Sequence, residues 1–382
     1  MKKAFIIALT LITTSSSLAQ AIYEDFESER LGETRKLKIQ LPRNFDKEYK
    51  YGYPLVVVLD GDYMFEPVSG NIDYQAYWED IPDCVIVGIK QSKSRDLDFL
   101  YDEYSFFPTQ DGADFYEFIG QEILPYMKVN YNTSNFRIIV GHDLGANFIN
   151  YFLFKNEPLF KAYISLSPDL APEMASRLQE KFTSITQQTF YYVATSDGDI
   201  KQLRQDILEL DNNLKGIDNE KLRYKFDDFS DASHYSLVGR GIPKALNDIF
   251  YLYRPISRKE YDEKVLTYEG SPYEYLMKKY DDIKTFYGFE KQVVENDIRA
   301  IAAASKKKDN LDSMQNIAKL AEREYSDSML STYYSGMYHE MAGNLKKALR
   351  RYQAGLLLEP SQFVDKDLLL DKMYDLEEEL KN

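Results

Sequence analysis

The pattern of hydrophobic and polar positions divides the chain into two parts. Over residues 35–253, short runs rich in β-branched and aromatic residues alternate with longer amphipathic stretches, which predicts strands connected by helices. Several short runs are apolar throughout, as expected for central strands that are covered on both faces. The predicted strands are residues 37–41, 55–59, 85–89, 136–140, 163–166, 190–194 and 223–226.

Amphipathic stretches between these strands predict helices at residues 113–129, 200–214 and 242–253. In the first of them, Phe115, Phe118, Ile119 and Ile123 recur at a spacing of three to four residues, which places them on one face of a helix. Strands that alternate with helices in this way predict an α/β fold with a mostly parallel, doubly wound sheet.

Beyond Pro255 the strand pattern stops, and residues 256–382 predict an all-α module. Residues 329–360 fit one helical hairpin of the tetratricopeptide type, with small residues at Gly336 and Gly355, an aromatic residue at Tyr352 and a closing Pro360. One such hairpin cannot bury its own apolar face. Two interpretations stay open: a helical cap that packs on the first domain, and a repeat that binds a protein partner.

The first 21 residues have the layout of a secretory signal peptide. Lys2 and Lys3 precede an apolar run over residues 4–12, and a Thr/Ser-rich stretch leads to the small residues Ala19 and Ala21. The apolar run is too short to span a bilayer, and no later segment is long and apolar enough to do so. The sequence therefore predicts export to the periplasm or beyond, no membrane span, and an α/β domain over residues 22–255.

Charge and composition narrow the range of partners and cofactors. The formal net charge of -15 at pH 7 predicts a surface that repels nucleic acid and anionic membranes. Cys84 is the single cysteine, and its apolar surroundings in the sequence predict a buried core residue. The sequence has no glycine-rich phosphate loop and no metal-binding Cys/His spacing, so we predict neither a metal nor a cofactor.

Residues 136–148 are the most informative stretch. An apolar strand runs into Gly141-His142-Asp143-Leu144-Gly145 and from there into an amphipathic segment. Two glycines at this spacing between a strand and a helix are typical of a nucleophile elbow, a strained turn that exposes its middle side chain above the sheet. The middle residue is an aspartate here, so we predict Asp143 at the position of the nucleophile.

A histidine and a carboxylate are predicted to complete the site. His234 lies between the last strand and the last helix of the domain, where this kind of fold keeps its catalytic base; a loop histidine with a local hydrogen bond is the alternative. His142 belongs to the elbow, and His339 is expected to be a packing or surface residue of the helical module. Asp197 and Asp199 both follow strand 190–194, where a carboxylate would orient the imidazole. The choice between them stays open, with a slight preference for Asp199.

Backbone N–H groups that would bind an oxyanion are predicted in two turns. Leu144 directly follows the elbow residue, and Gly61 and Asp62 lie in the turn that ends strand 55–59. An Asp-Gly pair is also common in ordinary turns. The prediction for Gly61 and Asp62 therefore holds only if residues 141–145 form a nucleophile elbow.

Taken in order, these motifs resemble the esterase family that includes esterase D and the enterochelin esterases. The resemblance covers residues 35–253 and rests on residues 53–62, 87–89, 112–114, 123–126, 141–145, 165–168 and 233–234. It implies an α/β-hydrolase fold, His234 as base, Asp197 or Asp199 as the acid, and a small ester, a siderophore or an acylated carbohydrate as substrate. In that family the nucleophile is a serine in the motif Gly-His-Ser-x-Gly, so Asp143 departs from the pattern.

The aspartate leaves three functional hypotheses. A carboxylate that attacks an ester carbonyl would form an anhydride, so the first is an exported esterase-family hydrolase with altered or lost serine chemistry, in which Asp143 can act as a general base beside His234. The second is an inactive hydrolase-fold protein that binds a ligand in its cleft. The third is an aspartate nucleophile acting at saturated carbon, which resembles haloalkane dehalogenases and epoxide hydrolases. Trp78, the only tryptophan, gives no sign of the polarising groups that those enzymes need.

Overall fold

A computed structural model describes residues 21–381, and its centre is a single eight-stranded sheet. The strand order is β1-β2-β4-β3-β5-β6-β7-β8. β2 is antiparallel to both of its neighbours, and all the other neighbouring strands are parallel. The strands are β1 (Ile22–Ser28), β2 (Glu33–Gln40), β3 (Tyr53–Val58), β4 (Val85–Ile89), β5 (Thr133–His142), β6 (Ala162–Leu166), β7 (Thr189–Gly198) and β8 (Leu222–Ser233).

Helices cover both faces of the sheet and then continue beyond it. Those that alternate with strands are α1 (Phe65–Tyr77), α2 (Arg95–Asp98), α3 (Asp111–Glu117), α4 (Leu124–Tyr131), α5 (Leu144–Phe148), α6 (Met174–Ser184), α7 (Lys201–Leu214) and α8 (Leu237–Ile249). A π-helical turn (Phe118–Ile123) joins α3 to α4, and a 3-10 helix (Ile149–Phe154) extends α5. The C-terminal helices are α9 (Arg258–Glu260) with a π-helical turn (Tyr261–Val265), α10 (Pro272–Tyr287), α11 (Glu295–Lys307), α12 (Leu311–Glu324), α13 (Met329–Met341), α14 (Leu345–Gly355) and α15 (Lys366–Glu379).

The sheet separates two hydrophobic cores, because successive side chains of a strand point to opposite faces. In β3, Val56 and Val58 pack with α1 and α8, whereas Leu55 and Val57 pack with α3, α4, α6 and α7. All of these strand side chains are fully buried. The apolar runs in the sequence therefore correspond to strands covered on both faces, and the predicted α/β class with a mostly parallel, doubly wound sheet is confirmed.

Each of the seven predicted strands coincides with an observed strand, and the three predicted helices coincide with α3 to α4, α7 and α8. The prediction missed β1, α1, α2 and α6. Cys84 is buried, as predicted. The predicted signal peptide lies outside the described residues, except for Ala21. Within residues 21–381, we find no helix with both the length and the apolar character needed to cross a membrane.

The helical module packs directly on the α/β domain. The ring of Tyr287 at the end of α10 lies 5.2 Å from that of Phe136 at the start of β5, and Phe289 lies 6.3 Å from the same ring. The Tyr287 hydroxyl donates a 2.9 Å hydrogen bond to the carbonyl of Ile249 at the end of α8. One hydrophobic core therefore runs from the sheet into the module, which favours the interpretation of the module as a packed cap.

Two helical hairpins, α11 with α12 and α13 with α14, follow one another in the module. Helix α13 begins at Met329, 34 residues after α11 begins at Glu295, and both helices have 13 residues. The turns that follow them have positive φ angles at Asp309 and Gly343. Tetratricopeptide repeats have this period. The tetratricopeptide interpretation stays a prediction, and the structure adds a second hairpin to the single one that the sequence indicated.

Close helix packing explains one of the small residues in this module. A Cβ atom at Gly336 of α13 would lie 2.3 Å from the Tyr352 ring of α14. Only a glycine therefore allows the two helices to approach this closely.

Candidate active site

Asp143 occupies a strained turn between a strand and a helix. β5 ends at His142, α5 begins at Leu144, and Asp143 between them has φ 58° and ψ -125°. The turn is tight because a Cβ atom at Gly141 would lie 2.4 Å from the carbonyl oxygen of Gly145. These features are those of a nucleophile elbow, and strain of this kind is typical of functional sites.

The Asp143 carboxylate forms an ion pair with Arg95, a residue that the sequence analysis did not identify. Arg95 Nη2 lies 3.1 Å from Asp143 Oδ2, and Arg95 Nε lies 2.8 Å from Asp60 Oδ1. The side chains of Asp143 and Arg95 are 23% and 25% exposed, whereas that of Asp60 is 2% exposed. One guanidinium, supplied by α2, is thus shared by two carboxylates.

Burial determines the electrostatics of this group. It raises the pKa of the Asp60 carboxyl above its ordinary value, although the hydrogen bond and the charge of Arg95 act in the opposite direction. Burial also acts to lower the pKa of Arg95, but the hydrogen bond and charge of Asp60 outweigh it, so the guanidinium stays charged. Asp60 therefore depends on Arg95 for its compensation.

On the other side of the elbow, His234 is paired with Asp199. Nδ1 of His234 lies 2.8 Å from Asp199 Oδ1, and the Asp199 side chain is fully buried. A carboxylate only accepts hydrogen bonds, so Nδ1 carries the hydrogen, and in the neutral ring Nε2 keeps a free electron pair. Nε2 of His234 has no hydrogen-bond partner within residues 21–381.

Several donors hold the Asp199 carboxylate in place. Besides His234, the hydroxyls of Ser167 and Thr195 donate to it at 2.7 Å, and the N–H of Ile200 donates at 2.8 Å. Burial acts to raise the pKa of Asp199, but these hydrogen bonds outweigh it and lower the pKa to about 2. The carboxylate is therefore ionised at neutral pH and is suited to orient an imidazole.

Asp197 does not contact the imidazole. Its carboxylate accepts a 3.2 Å hydrogen bond from the N–H of Asp231 at the surface. β7 continues to Gly198, so Asp197 belongs to the strand, and Asp199 is the first carboxylate beyond it. The structure thus separates the two residues between which the sequence could not choose, and the prediction of Asp197 as a partner of His234 is wrong.

Ser167 is a second member of the site that sequence reasoning missed. Its Oγ lies 3.0 Å from His234 Nδ1 as well as within hydrogen-bonding distance of both Asp199 oxygens. Its backbone has a positive φ of 45°, unusual for a serine. The strained loop therefore directs the hydroxyl into the Asp199–His234 pair.

The turn after β3 differs from the prediction. The N–H of Gly61 donates to the carbonyl of Ile89 at 2.7 Å, so it is not available to an oxyanion, and that prediction is wrong. The N–H groups of Asp62 and Leu144 have no acceptor in the described part of the chain. The Asp62 carboxylate accepts hydrogen bonds from the N–H groups of Gln91 and Ser92.

The elbow and the His234 pair meet at one edge of the sheet. The N–H of Asp143 donates to Leu166, and the N–H of Asp169 donates to the carbonyl of Asp143 at 3.1 Å. Ser167, between those partners, contacts His234. No hydrogen bond joins the Asp143 carboxylate to His234 anywhere in residues 21–381. The two side chains share one site, but their charges are compensated separately.

A cavity of about 440 Å³ elsewhere in the molecule lies between the α/β domain and the helical module. Its lining includes Tyr49, Asp83, Tyr253 and Lys291, of which Tyr49 and Asp83 lie near the amino ends of β3 and β4. The cavity is therefore at the opposite end of the strands from His234.

Trp78 follows α1 with 61% of its surface exposed and makes an edge-to-face contact with Tyr77. It contacts none of the residues of the elbow. No group of three or more potential metal ligands is present in the described residues.

Residues 28–217 match the family model described as "Putative esterase". The chain is an esterase-family α/β-hydrolase. The matched region of this esterase-family chain contains the elbow, Arg95 and Asp199, and ends before His234. No curated protein matches the chain significantly.

Solved structures show that the whole architecture occurs elsewhere. An uncharacterised protein from Capnocytophaga ochracea is 27% identical, with a TM-score of 0.80 over 94% of this chain and 100% of its own. An IroE-like serine hydrolase from Shewanella oneidensis is 18% identical, with a TM-score of 0.62 over 80% of this chain and 99% of its own. The BES protein from Bacillus cereus is 21% identical, with a TM-score of 0.51 over 64% of this chain and 98% of its own. The first match extends over nearly all of the helical module.

Proposed function

We propose that the esterase-family chain is an exported hydrolase of small esters in which His234 activates a water molecule and Asp143 does not act as a nucleophile. The observation that carries the proposal is the Asp199–His234 pair, whose hydrogen bonds leave Nε2 of the imidazole free. In serine hydrolases the same imidazole activates the water that clears the acyl group. Direct attack by water on a bound ester needs the imidazole and its carboxylate, but no serine nucleophile.

The environment of Asp143 supports the loss of serine chemistry. Its carboxylate contacts the Arg95 guanidinium at 3.1 Å, and this charge pairing reduces the reactivity of the carboxylate toward a carbonyl carbon. An attack would also produce an anhydride, a higher-energy product than the ester that a serine forms. Asp143 is therefore assigned the role of an anion that holds Arg95 at the elbow.

Stabilisation of the transition state is assigned to backbone N–H groups. Leu144 directly follows the elbow residue and its N–H is unpaired within residues 21–381, as is that of Asp62. Donors of this kind are worth about 10²- to 10³-fold in rate when they are aimed at the developing oxyanion. The ester carbonyl would bind with its oxygen toward the Leu144 N–H and its carbon within reach of the activated water.

The test is hydrolysis of short-chain p-nitrophenyl esters by the purified chain. We expect slow turnover that His234→Asn abolishes and Asp143→Asn retains. His339→Asn is the matched control, because His339 lies in the helical module, remote from the elbow. A fluorophosphonate should label no serine of the wild-type protein. Rapid labelling, or full activity in His234→Asn, would refute the mechanism.

The variant Asp143→Ser tests by a gain of activity whether the Asp199–His234 pair can still serve a serine nucleophile. A serine at the elbow adjacent to an intact Asp199–His234 pair should increase ester hydrolysis and make the protein react with the fluorophosphonate. The double variant Asp143→Ser/His234→Asn should lose both properties. If neither the wild type nor Asp143→Ser hydrolyses any ester, the hydrolase proposal fails.

A binding protein without catalysis is the second candidate, and the ion pair of Asp143 with Arg95 favours it. A closed ion pair at the position of the nucleophile is a stable arrangement that suits recognition of a ligand. For the aspartate-nucleophile hypothesis, a single turnover in H₂¹⁸O should place label in Asp143, and we expect none. The helical module stays a proposed surface for a protein partner, and export from the cytoplasm is proposed from residues 1–21, which lie mostly outside the described chain.

A further inference from the structure

His142, the residue before Asp143, links the two parts of the site. It is 1% exposed. Its Nε2 lies 3.1 Å from the backbone carbonyl oxygen of His234, and its Nδ1 lies 3.0 Å from the hydroxyl of Tyr63. The centres of the two imidazole rings are 4.5 Å apart. The water activation proposed for His234 does not involve this buried, titratable side chain.

The hydrogen bonds of His142 fix its tautomer. A carbonyl oxygen only accepts hydrogen bonds, so the Nε2 that contacts His234 must carry a hydrogen. Burial, followed by the charge of His234, lowers the pKa of His142 to about 4, so the ring is neutral at ordinary pH. Nδ1 then has the free electron pair, and the Tyr63 hydroxyl donates to it.

The carbonyl that His142 holds belongs to the catalytic base itself. His234 lies in the short connection between β8 and α8. The ring Nε2–H of His142 donates a hydrogen bond to the backbone carbonyl of His234 in this connection. The His234 ring is held at its other end by Asp199 and Ser167. The base is thus fixed at two points, its backbone and its Nδ1, and both leave Nε2 free.

We propose that His142 is a positioning residue for His234 and that Tyr63, by donating to Nδ1, stabilises the tautomer that the His234 carbonyl requires. The importance of the positioning for catalysis rests on the proposed function. The hydrogen-bonding arrangement of His142 does not depend on the proposed function. The positioning role and the hydrolase mechanism can therefore fail separately.

Tyr63 also connects His142 to the ion pair at the elbow. Its hydroxyl oxygen lies 3.2 Å from Asp60 Oδ2, but a phenol has one hydrogen and cannot donate to both neighbours. Since Arg95 already compensates Asp60, the hydrogen goes to His142. A change at Tyr63 should therefore reach His234 even though the two side chains form no hydrogen bond with each other.

Nitrogen NMR of the full chain labelled with ¹⁵N-histidine tests the arrangement without any activity. The chain has three histidines, and His339→Asn assigns the remote one. We expect His142 to be the Nε2–H tautomer and to stay neutral from pH 5 to pH 8. The titratable and charged groups that face His142 are His234, Asp143, Arg95, Tyr63 and Tyr235. Tyr63→Phe should shift the Nδ1 resonance, because its donor is gone. An Nδ1–H tautomer, or a titration between pH 5 and 8, would overturn the proposal.

Substitutions of His142 test the positioning. His142→Leu removes the side-chain N–H donor, whereas His142→Gln offers a side-chain amide N–H at a similar distance from the backbone. With folding verified by circular dichroism, we expect His142→Leu to shift the His234 resonances and to lower kcat by about 10²-fold with little change in KM, as for a misplaced catalytic group. His142→Gln should partly restore the His234 resonances and kcat, and His339→Leu should change neither the resonances nor kcat. If the His234 resonances in His142→Leu match those of the wild type, the proposal is wrong, whatever the activity.

Discussion

The two carboxylates at the edge of the sheet, Asp199 and Asp143, are compensated in opposite ways. Asp199 accepts hydrogen bonds from neutral donors and from His234, which leaves an imidazole nitrogen available for chemistry. Asp143 contacts Arg95, whose charge is already shared with the buried Asp60. One edge of a sheet can thus hold one carboxylate through neutral donors and an imidazole, and another through an ion pair. The two carboxylates should therefore respond to substitution in different ways.

The largest effect is expected at Asp199. Asp199→Asn removes the negative charge and replaces one carboxylate oxygen with an NH₂ donor that can face Nδ1. The imidazole can then adopt the wrong tautomer, and ester hydrolysis should fall by about 10⁴-fold. Asp197→Asn is the matched control, because Asp197 contacts the backbone of Asp231 and not the imidazole. Initial rates with p-nitrophenyl acetate distinguish the two variants. Equal losses in both would show that the Asp199–His234 pair does not orient the base.

The shape of the elbow should be the next most sensitive feature. Gly141→Ala would place a Cβ atom 2.4 Å from the carbonyl oxygen of Gly145, so the turn must move, and we expect a loss of about 3 kcal/mol or more in the free energy of unfolding. The control is Gly239→Ala in α8, where a Cβ atom would meet nothing within 4 Å. That change should stabilise the protein slightly, since alanine favours a helix. Urea unfolding followed by circular dichroism measures both.

Removal of Arg95 tests the ion pair. Arg95→Met leaves the buried Asp60 carboxylate without its cation, which should cost about 2–3 kcal/mol in unfolding free energy at pH 7, at the low end for a broken buried pair because Arg95 is partly exposed. The sign follows from Asp60, whose folded-state pKa is raised: as pH falls toward 4, its protonation should remove the penalty. Arg204→Met breaks the more exposed pair with Asp228 and should cost less than about 1 kcal/mol. A penalty in Arg95→Met that does not diminish on acidification would contradict the role of Asp60.

The smallest effect is the pH dependence contributed by Asp199. Its pKa is lowered from 3.8 to about 2 in the folded protein. The stabilisation is therefore present above pH 4 and is lost as pH falls toward 2, with a size of about 1–2 kcal/mol. The difference in unfolding free energy between the wild type and Asp199→Asn should narrow over that interval, while Asp197→Asn follows the wild type throughout. Parallel curves for all three proteins would exclude this coupling.

Periodicity was sufficient for the central strands but not for the edge of the sheet. β3 and β4 are apolar throughout because both faces are covered, whereas β1, with the sequence IYEDFES, is largely exposed and carries three acidic residues. Its pairing with β2 depends on tertiary contacts that leave no apolar run in the sequence. Helix α1 was missed for a similar reason, since Pro67 and Gly70 lie inside a polar and aromatic segment.

The elbow and His234 could be predicted because each follows a strand and precedes a helix. Arg95 could not, because its partners Asp60 and Asp143 are 35 and 48 residues away in the chain. Ion pairs between distant residues have no local signature in a single sequence. The choice of Asp199 over Asp197 depended on where β7 ends, and strand ends are set by pairing with the neighbouring strand rather than by the residues themselves.

The contact of Tyr287 and Phe289 with Phe136 has a consequence for how the protein can be divided. A chain ending at residue 255 would leave the rings of Phe136, Phe190 and Phe250, which now contact Tyr287, facing water. Exposed aromatic surface of that kind promotes aggregation. The α/β domain is therefore expected to fold together with its C-terminal helices, as one cooperative unit.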